Sequence, residues 1–267
     1  MTDPKKLIAQ LNNEFEQNIL VKAFVLVGSQ AREDVYKATK YSDMEAYVIA
    51  EDKNAGFVEK QLPALLGKYG NVLFWFKHAI GFVAVFDDLF RLELPVIKES
   101  GMDGLFNRPT AQVVKILIDR TDGKLENILA KRSDKIDYEA EFKDKVVNFW
   151  YWQIIGVQYF KKGELYNTRS IMNIHASALI KLLELYNDPK ILLLEINKRV
   201  EQFLNRDQLE KIKEITPAYN KTEIKKALER VMEIFPEIFL KISEKYKFEY
   251  DETYEEKIKP KLIKMLR

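Results

Sequence analysis

Hydrophobic residues follow two different periods along this 267-residue chain, and the change between them constrains the fold more than any other feature. Up to about residue 120, short β-branched and aromatic runs bounded by turn residues are typical of strands. From about residue 138 onward, apolar residues recur almost only at helical spacing. The pattern predicts an α+β protein, in which a domain with a mixed sheet is followed by an all-α helical bundle domain. Lys131–Asp137, a charged stretch, marks the predicted join, so we expect domains at 1–130 and 131–267.

Local patterns predict the individual elements. In the first domain we expect helices at 4–18 and 55–69, and strands at 22–27, 45–50, 72–77, 81–86, 90–96 and 113–119. Asp3 or Thr2 before Pro4 is typical of a helix start, and Asp87-Asp88 and Asp122-Gly123 are typical of turns. In the second domain we expect helices at 139–161, 168–186 and 189–204. Thr222 caps a further predicted helix, which Pro236 kinks or breaks.

Composition excludes several classes of protein. Hydrophobic residues make up 47% of the chain and aromatic residues 12%, which favours a folded core over disorder. The apolar stretches are too short and too polar for a membrane span. The net charge of +2 indicates no global attraction to nucleic acid. The absence of cysteine excludes disulfides and thiolate metal sites, and is compatible with a cytoplasmic location. The two histidines lack the spacing of a zinc site, and no Gly-x-Ser-x-Gly elbow is present.

Three carboxylates on predicted strands form the candidate chemical site. Asp43 and Glu45 lie two residues apart at the start of the second strand, so their side chains point to the same face. Glu93 lies among apolar residues on a later strand, where an unpaired acid is costly. A divalent cation shared by the three acids would compensate that cost. The pattern therefore predicts a metal site formed by Asp43, Glu45 and Glu93.

The end of the first strand is the candidate phosphate-binding segment. A glycine at position 28 lets the backbone approach a phosphate chain closely, and the N–H groups that follow can bind its oxygens. Ser29 can add a hydroxyl hydrogen bond, and Arg32 can meet phosphate charge at the start of a short helix. Arg91 shares a strand face with Glu93, so it can either bind phosphate or pair with that acid.

Together these residues resemble the nucleotidyltransferase superfamily of DNA polymerase β type. That pattern is Gly28-Ser29, then Ser42-Asp43-x-Glu45, then Glu93 on a later strand. The closer resemblance is to lincosamide nucleotidyltransferases with a helical C-terminal domain, and streptomycin adenylyltransferases share the layout more distantly. The segments that carry the resemblance to the lincosamide enzymes are Tyr41–Tyr47, Val85–Glu93, Asp122–Asn127 and Lys161–Glu164.

The resemblance implies an activity and its co-substrates. A nucleoside monophosphate would pass from ATP or another nucleoside triphosphate to a hydroxyl group of a small molecule, a lincosamide- or aminoglycoside-type antibiotic, and pyrophosphate would leave. One or two Mg²⁺ ions would be held by Asp43, Glu45 and Glu93, with Glu93 also taking the hydroxyl proton. Gly28, Ser29, Arg32 and Ser42 would bind the nucleotide. The family likeness also implies a homodimer, and a cleft between the domains as the binding site.

Two alternatives stay open at this point. Related folds modify a protein or an RNA, and a basic groove beside the acids would favour such an acceptor. A non-catalytic module with the same fold would be expected to have lost one of the three acids, whereas all three are present. The aromatic cluster Phe149–Trp152 and His175 are interpreted as core residues of the helical domain, although one or two of these rings could stack on a ligand.

Overall fold

The structure is a computed structural model that describes residues 2–32, 38–78, 81–106, 113–131, 136–189 and 200–267, and only the backbone of His78. The chain forms two compact units, Met1–Asp134 and Lys135–Arg267. The first unit contains a seven-stranded mixed sheet with helices, and the second is helical, which confirms the predicted α+β class.

In its described residues, the first unit contains four α-helices and seven strands. In chain order they are α1 (Pro4–Gln17), β1 (Val21–Val27), β2 (Met44–Ala50), α2 (Ala55–Leu66), β3 (Val72–His78), β4 (Gly81–Phe86), β5 (Arg91–Glu93), β6 (Val96–Lys98), α3 (Met102–Phe106), β7 (Lys115–Asp119) and α4 (Lys124–Lys131). The strand order is β3-β4-β5-β2-β1-β7, with β6 also paired to β2. Strand β2 runs parallel to β5 and β6, and the other pairs are antiparallel.

Helices cover the two faces of this sheet differently. Helices α1 and α2 pack on one face, where Phe15 meets Phe24 edge to face at 4.9 Å between ring centres. Helices α3 and α4 pack on the other face over β1 and β2, where Tyr47 contacts Phe106 at 5.8 Å. Burial of apolar side chains on both faces stabilises the sheet. The acids discussed below lie on the face that α3 and α4 cover in part.

The predicted single strand at 90–96 is wrong, because two short strands replace it. Strand β5 ends at Glu93 and β6 begins at Val96, with Leu94 and Pro95 between them. Proline has no N–H to donate to a strand ladder, which explains the interruption. The carbonyl of Pro95 still accepts a hydrogen bond from Val48 N–H at 3.1 Å.

The second unit is built from helices. Those described are α5 (Tyr138–Lys161), α6 (Leu165–Asn187), α7 (Val200–Phe203), α8 (Arg206–Glu214), α9 (Lys221–Tyr246) and α10 (Thr253–Leu266). Helices α5, α6 and α9 share the core, in which Phe149 stacks on Phe235 at 4.2 Å. Phe149 and Trp150 are buried as predicted, whereas Tyr151 is exposed. Most of the predicted helix at 189–204 lies outside the described residues.

Helix α9 differs from its prediction at two points. Its N-cap is Asn220, whose side chain accepts from Glu223 N–H at 2.8 Å, so the predicted cap at Thr222 is wrong. The helix also continues through Pro236, which is buried in the core, so the predicted break does not occur, while the alternative of a kink stays a prediction. Burial of the apolar face around Pro236 offsets the hydrogen bond that proline removes. The predicted start of α1 is confirmed, since Asp3 accepts from Lys5 N–H at 2.9 Å.

Burial of His175 predicts acid sensitivity of the helical unit. The side chain is buried, its Nε2 has no hydrogen-bond partner within the described ranges, and burial lowers its pKa from 6.5 to about 3. The folded state therefore keeps a neutral ring while the unfolded chain binds a proton below pH 6.5, so stability falls as pH drops from 6.5 toward 3. Between pH 7 and pH 5 we expect this group to cost about 2 kcal/mol of unfolding free energy. Denaturant titrations of wild type and His175→Gln should show a steeper loss in wild type, and parallel curves would contradict the prediction.

No helix in the described part of the chain is long and apolar enough to cross a membrane.

Candidate active site

Strand pairing brings two of the predicted acids side by side. Glu45 on β2 pairs in register with Val27 of β1 on one side and with Glu93 of β5 on the other. Asp43 immediately precedes β2, two residues before Glu45, so alternation places it on the same face. The side chains of Asp43 and Glu93 are 23% and 20% exposed, which leaves them open to a ligand. The sheet thus groups three carboxylates on a single face, beside the end of β1.

Arg91 lies among these carboxylates. Its guanidinium pairs with Asp43, and its Nε lies 3.4 Å from Glu93 Oε1. The hydrogen bond to Asp43, and then the charges of Asp43, Glu93 and Glu45, raise the pKa of Arg91 further above its ordinary value. Of the two roles considered for Arg91, pairing with the acids is the one seen. The three acids thus already hold one positive charge between them.

Gly28 directly follows β1 and touches the acid cluster. Its φ of +64° is in the left-handed region, which non-glycine residues adopt at a cost. A Cβ at this position would collide with the carboxylate of Glu45, lying 3.2 Å from its Cδ. The sequence therefore needs glycine here so that the end of β1 and the Glu45 side chain can approach each other. The segment that follows is a 3₁₀ helix, Gly28–Ala31.

Substitution of Gly28 by Ala should damage this site. We expect a loss of about 1–2 kcal/mol from the left-handed backbone and, because Glu45 is displaced, about a 100-fold loss of catalytic rate. Thermal melts and rate measurements would check both effects. Gly56→Ala is the matched control, because a Cβ there meets nothing within 4 Å. A Gly28→Ala enzyme as active as Gly56→Ala would contradict this role.

The other predicted nucleotide-binding residues flank Gly28 and Asp43. Ser29 lies within the 3₁₀ helix, and Arg32 follows its last residue. A helix that starts at Arg32 would lie in 33–37, outside the described residues, so that expectation stays a prediction. The chain leaves the helical conformation at Arg32, whose φ and ψ of −105° and 148° are extended. The Ser42 hydroxyl accepts a hydrogen bond from Thr39 N–H at 2.9 Å, so in this structure it stabilises a local turn.

Gln30 was not predicted from the sequence. Its Nε2 donates to the backbone carbonyl of Asp43 at 3.4 Å and so links the 3₁₀ helix to the start of β2. No sequence signal singles it out, because the contact joins two loops whose proximity depends on the pairing of β1 with β2. This hydrogen bond holds the backbone at Asp43 beside the 3₁₀ helix.

The donor chemistry of the acid cluster suits a hard divalent cation. Carboxylate oxygens are the ligands that Mg²⁺ prefers, and the guanidinium of Arg91 shows that positive charge is held at this place. Within the described ranges, no group of three His, Cys, Asp or Glu residues has the arrangement of a metal site. Metal binding by Asp43, Glu45 and Glu93 would therefore require Arg91 to move away from the carboxylates.

Comparisons with known proteins place the chain in a family. A search of curated proteins finds no match. The crystal structure of an aminoglycoside 6-adenyltransferase from Bacillus subtilis is similar, with 12% identity, a TM-score of 0.44 and 99% of each chain covered. The closer likeness to lincosamide enzymes stays a prediction. The family model described as streptomycin adenylyltransferase matches residues 1–265, nearly the whole length. The chain therefore belongs to the streptomycin adenylyltransferase family and is a nucleotidyltransferase.

Proposed function

We propose that this enzyme transfers the adenylyl group of ATP to a hydroxyl group of an aminoglycoside- or lincosamide-type antibiotic. The observation that carries the proposal is the register of the sheet, which sets Glu45 opposite Glu93 with Gly28 beside them. Acids on adjacent strands, next to a glycine that allows close backbone approach, suit phosphate chemistry. Membership of the streptomycin adenylyltransferase family supports an antibiotic acceptor.

Asp43, Glu45 and Glu93 would hold Mg²⁺, which when bound stabilises charge on the phosphate oxygens. Glu93 would accept the proton of the attacking hydroxyl, which requires the hydroxyl to come within hydrogen-bond reach of its carboxylate. Gly28 and Ser29 would bind phosphate oxygens through backbone N–H groups and a hydroxyl. Arg91 would release Asp43 as the nucleotide enters.

The transfer needs no reactant other than the nucleotide and the acceptor. The acceptor oxygen forms a bond to the α-phosphorus, and the bond from that phosphorus to the bridging oxygen of the β-phosphate breaks. The hydroxyl proton goes to Glu93, and the electron pair of the broken bond leaves with pyrophosphate. An in-line displacement of this kind depends mainly on positioning and charge stabilisation, which the three acids and Gly28 would supply.

A pyrophosphate-release assay tests the proposal. Each of the four nucleoside triphosphates would be supplied with Mg²⁺ against a panel of aminoglycosides and lincosamides. We expect release that depends on one antibiotic class, is fastest with ATP, and is abolished in Asp43→Asn. Glu51→Gln is the matched control, since Glu51 lies just beyond β2 and pairs with Lys22 and Lys53. Absence of release with every drug, or equal release by Asp43→Asn, would contradict the proposed function.

Two further expectations remain predictions. The homodimer is implied by the family likeness, and the cytoplasmic location was expected from the absence of cysteine. Light scattering of the purified enzyme with and without nucleotide would test the first, and fractionation of cells would test the second.

A further inference from the structure

A continuous row of side chains crosses the face of the sheet that carries the acids. The strand register pairs Val27 with Glu45, Glu45 with Glu93, Glu93 with Val83, and Val83 with Phe76. Residues paired in register point to the same face. The row therefore runs from the glycine end of β1, through two acids, to an aromatic ring on the edge strand β3.

A second aromatic ring lies beside the end of this row. Phe74 pairs with Val85, which pairs with Arg91, so it shares the face of Phe76 and the acids. The rings of Phe74 and Phe76 stack with 6.2 Å between their centres and remain 50% and 42% exposed. We call Phe74, Phe76 and Val85 the aromatic platform.

Large side chains of β3 are exposed on both faces, since Trp75 is 54% exposed on the face opposite the platform. On the face that carries the acids, the platform differs from β1 and β2. Farther along the same face, α3 and α4 bury the side chains of β1 and β2, as Tyr47 and Phe106 show. Adjacent large aromatic side chains that stay exposed on a sheet face indicate a binding surface. The platform also adjoins the acid cluster on the same face, so a ligand lying on it can reach Glu93.

The in-line geometry of the proposed reaction indicates which substrate would lie on the platform. This step rests on the proposed function. The attacking oxygen and the leaving pyrophosphate lie on opposite sides of the α-phosphorus. With the phosphates bound beside Gly28 on the β1 side of the acids, the acceptor must enter from the β5 side. That side leads across β4 to Phe76 and Phe74, two strand spacings or about 10 Å from Glu93.

We propose that the aromatic platform is the acceptor subsite and binds a polyhydroxylated saturated ring. One hydroxyl of the acceptor would lie at Glu93, while the C–H face of a linked ring packs on Phe76 and Phe74. Aromatic rings supply rigid apolar area for such contacts and leave the hydroxyl groups at the ring edge solvated. Two linked six-membered rings span the distance between the acid and the platform.

Paired substitutions on opposite faces of β3 test the proposal. Threonine keeps a high strand propensity, so Phe74→Thr and Phe76→Thr should fold. Trp75→Thr is the matched control, because Trp75 is 54% exposed on the other face, where it stacks on Phe82. The readouts are KM for ATP and for the acceptor, and calorimetric binding of streptomycin in the presence of the α,β-methylene analogue of ATP.

We expect Phe76→Thr to raise the acceptor KM and the calorimetric Kd about 10-fold. The KM for ATP should be unchanged, and Trp75→Thr should resemble wild type. Unchanged acceptor binding in both platform variants would overturn the proposal and leave the enzyme's activity standing. A selective rise in the ATP KM would also overturn it, since the platform would then hold the nucleobase. If the wild type used and bound no acceptor of the panel, the proposed function would fail first and the subsite with it.

Discussion

Replacement of Glu93 by Gln is expected to lower kcat for nucleotidyl transfer by about 10³-fold. The amide fits the same space between Glu45 and Val83 but accepts no proton from the acceptor hydroxyl and carries no charge. Because phosphate binding is assigned to the segment at Gly28, nucleotide affinity should change far less than kcat. Steady-state kinetics together with equilibrium binding of the α,β-methylene analogue would separate the two effects.

The control for this variant is Glu59→Gln. Glu59 lies on α2 and pairs with Lys77 at 2.7 Å, on the opposite side of the sheet from the acid cluster. Its substitution removes one carboxylate from the same unit without touching the acids. A Glu93→Gln enzyme whose kcat stays within tenfold of Glu59→Gln would show that Glu93 is not the proton acceptor.

Buried Glu184 in the helical unit is expected to make the folding stability of the protein depend strongly on pH. The residue is 4% exposed, and burial raises the pKa of its carboxyl from 4.5 to about 7, against the smaller opposing effect of Lys181. The folded state therefore favours the protonated acid, whereas the unfolded chain ionises it above pH 4.5. Stability from this group is complete below pH 4.5 and is lost as pH rises to 7.

Glu184→Gln should remove the loss of folding stability between pH 4.5 and pH 7, because the amide does not ionise. At pH 8 we expect the variant to be as much as about 3 kcal/mol more stable than wild type, and at pH 4.5 the two should be equal. Urea denaturation followed by tryptophan fluorescence would measure both, since Trp150 is buried in the same core. Glu229→Gln is the control, because Glu229 is a solvated helix residue 3.8 Å from Lys225. An equal advantage at both pH values would point to packing rather than ionisation.

Local patterns were sufficient to predict β1 and β2, the two strands beside which Gly28, Asp43 and Glu45 lie. The apolar runs at 22–27 and 45–50 are local signals, and strand alternation alone places Asp43 and Glu45 on one face. The glycine that follows β1 was predicted for phosphate approach. The structure adds that it accommodates the Glu45 side chain.

Features that depend on the pairing of strands far apart in the sequence could not be predicted from local patterns. Nothing local indicates that β5 lies parallel to β2, which sets Glu93 opposite Glu45. The same limit applies to Phe74 and Phe76, whose apolar sequence suggests burial although β3 is the edge strand of the described sheet. His175 was interpreted as a core residue and is buried as expected, but its Nε2 has no hydrogen-bond partner among the described residues, which no local pattern indicates.

Transfer of label from [α-³²P]ATP to the drug is the experiment that decides whether this enzyme adenylylates an antibiotic. Wild-type enzyme, Mg²⁺ and an aminoglycoside or lincosamide would be incubated with the labelled nucleotide, and the drug would be separated and counted. We expect label on the drug in an amount equal to the pyrophosphate released, and labelling by Glu93→Gln that is about 10³-fold slower. Label that appears only on protein or RNA, or drug labelling by Glu93→Gln within tenfold of the wild-type rate, would contradict the proposed activity.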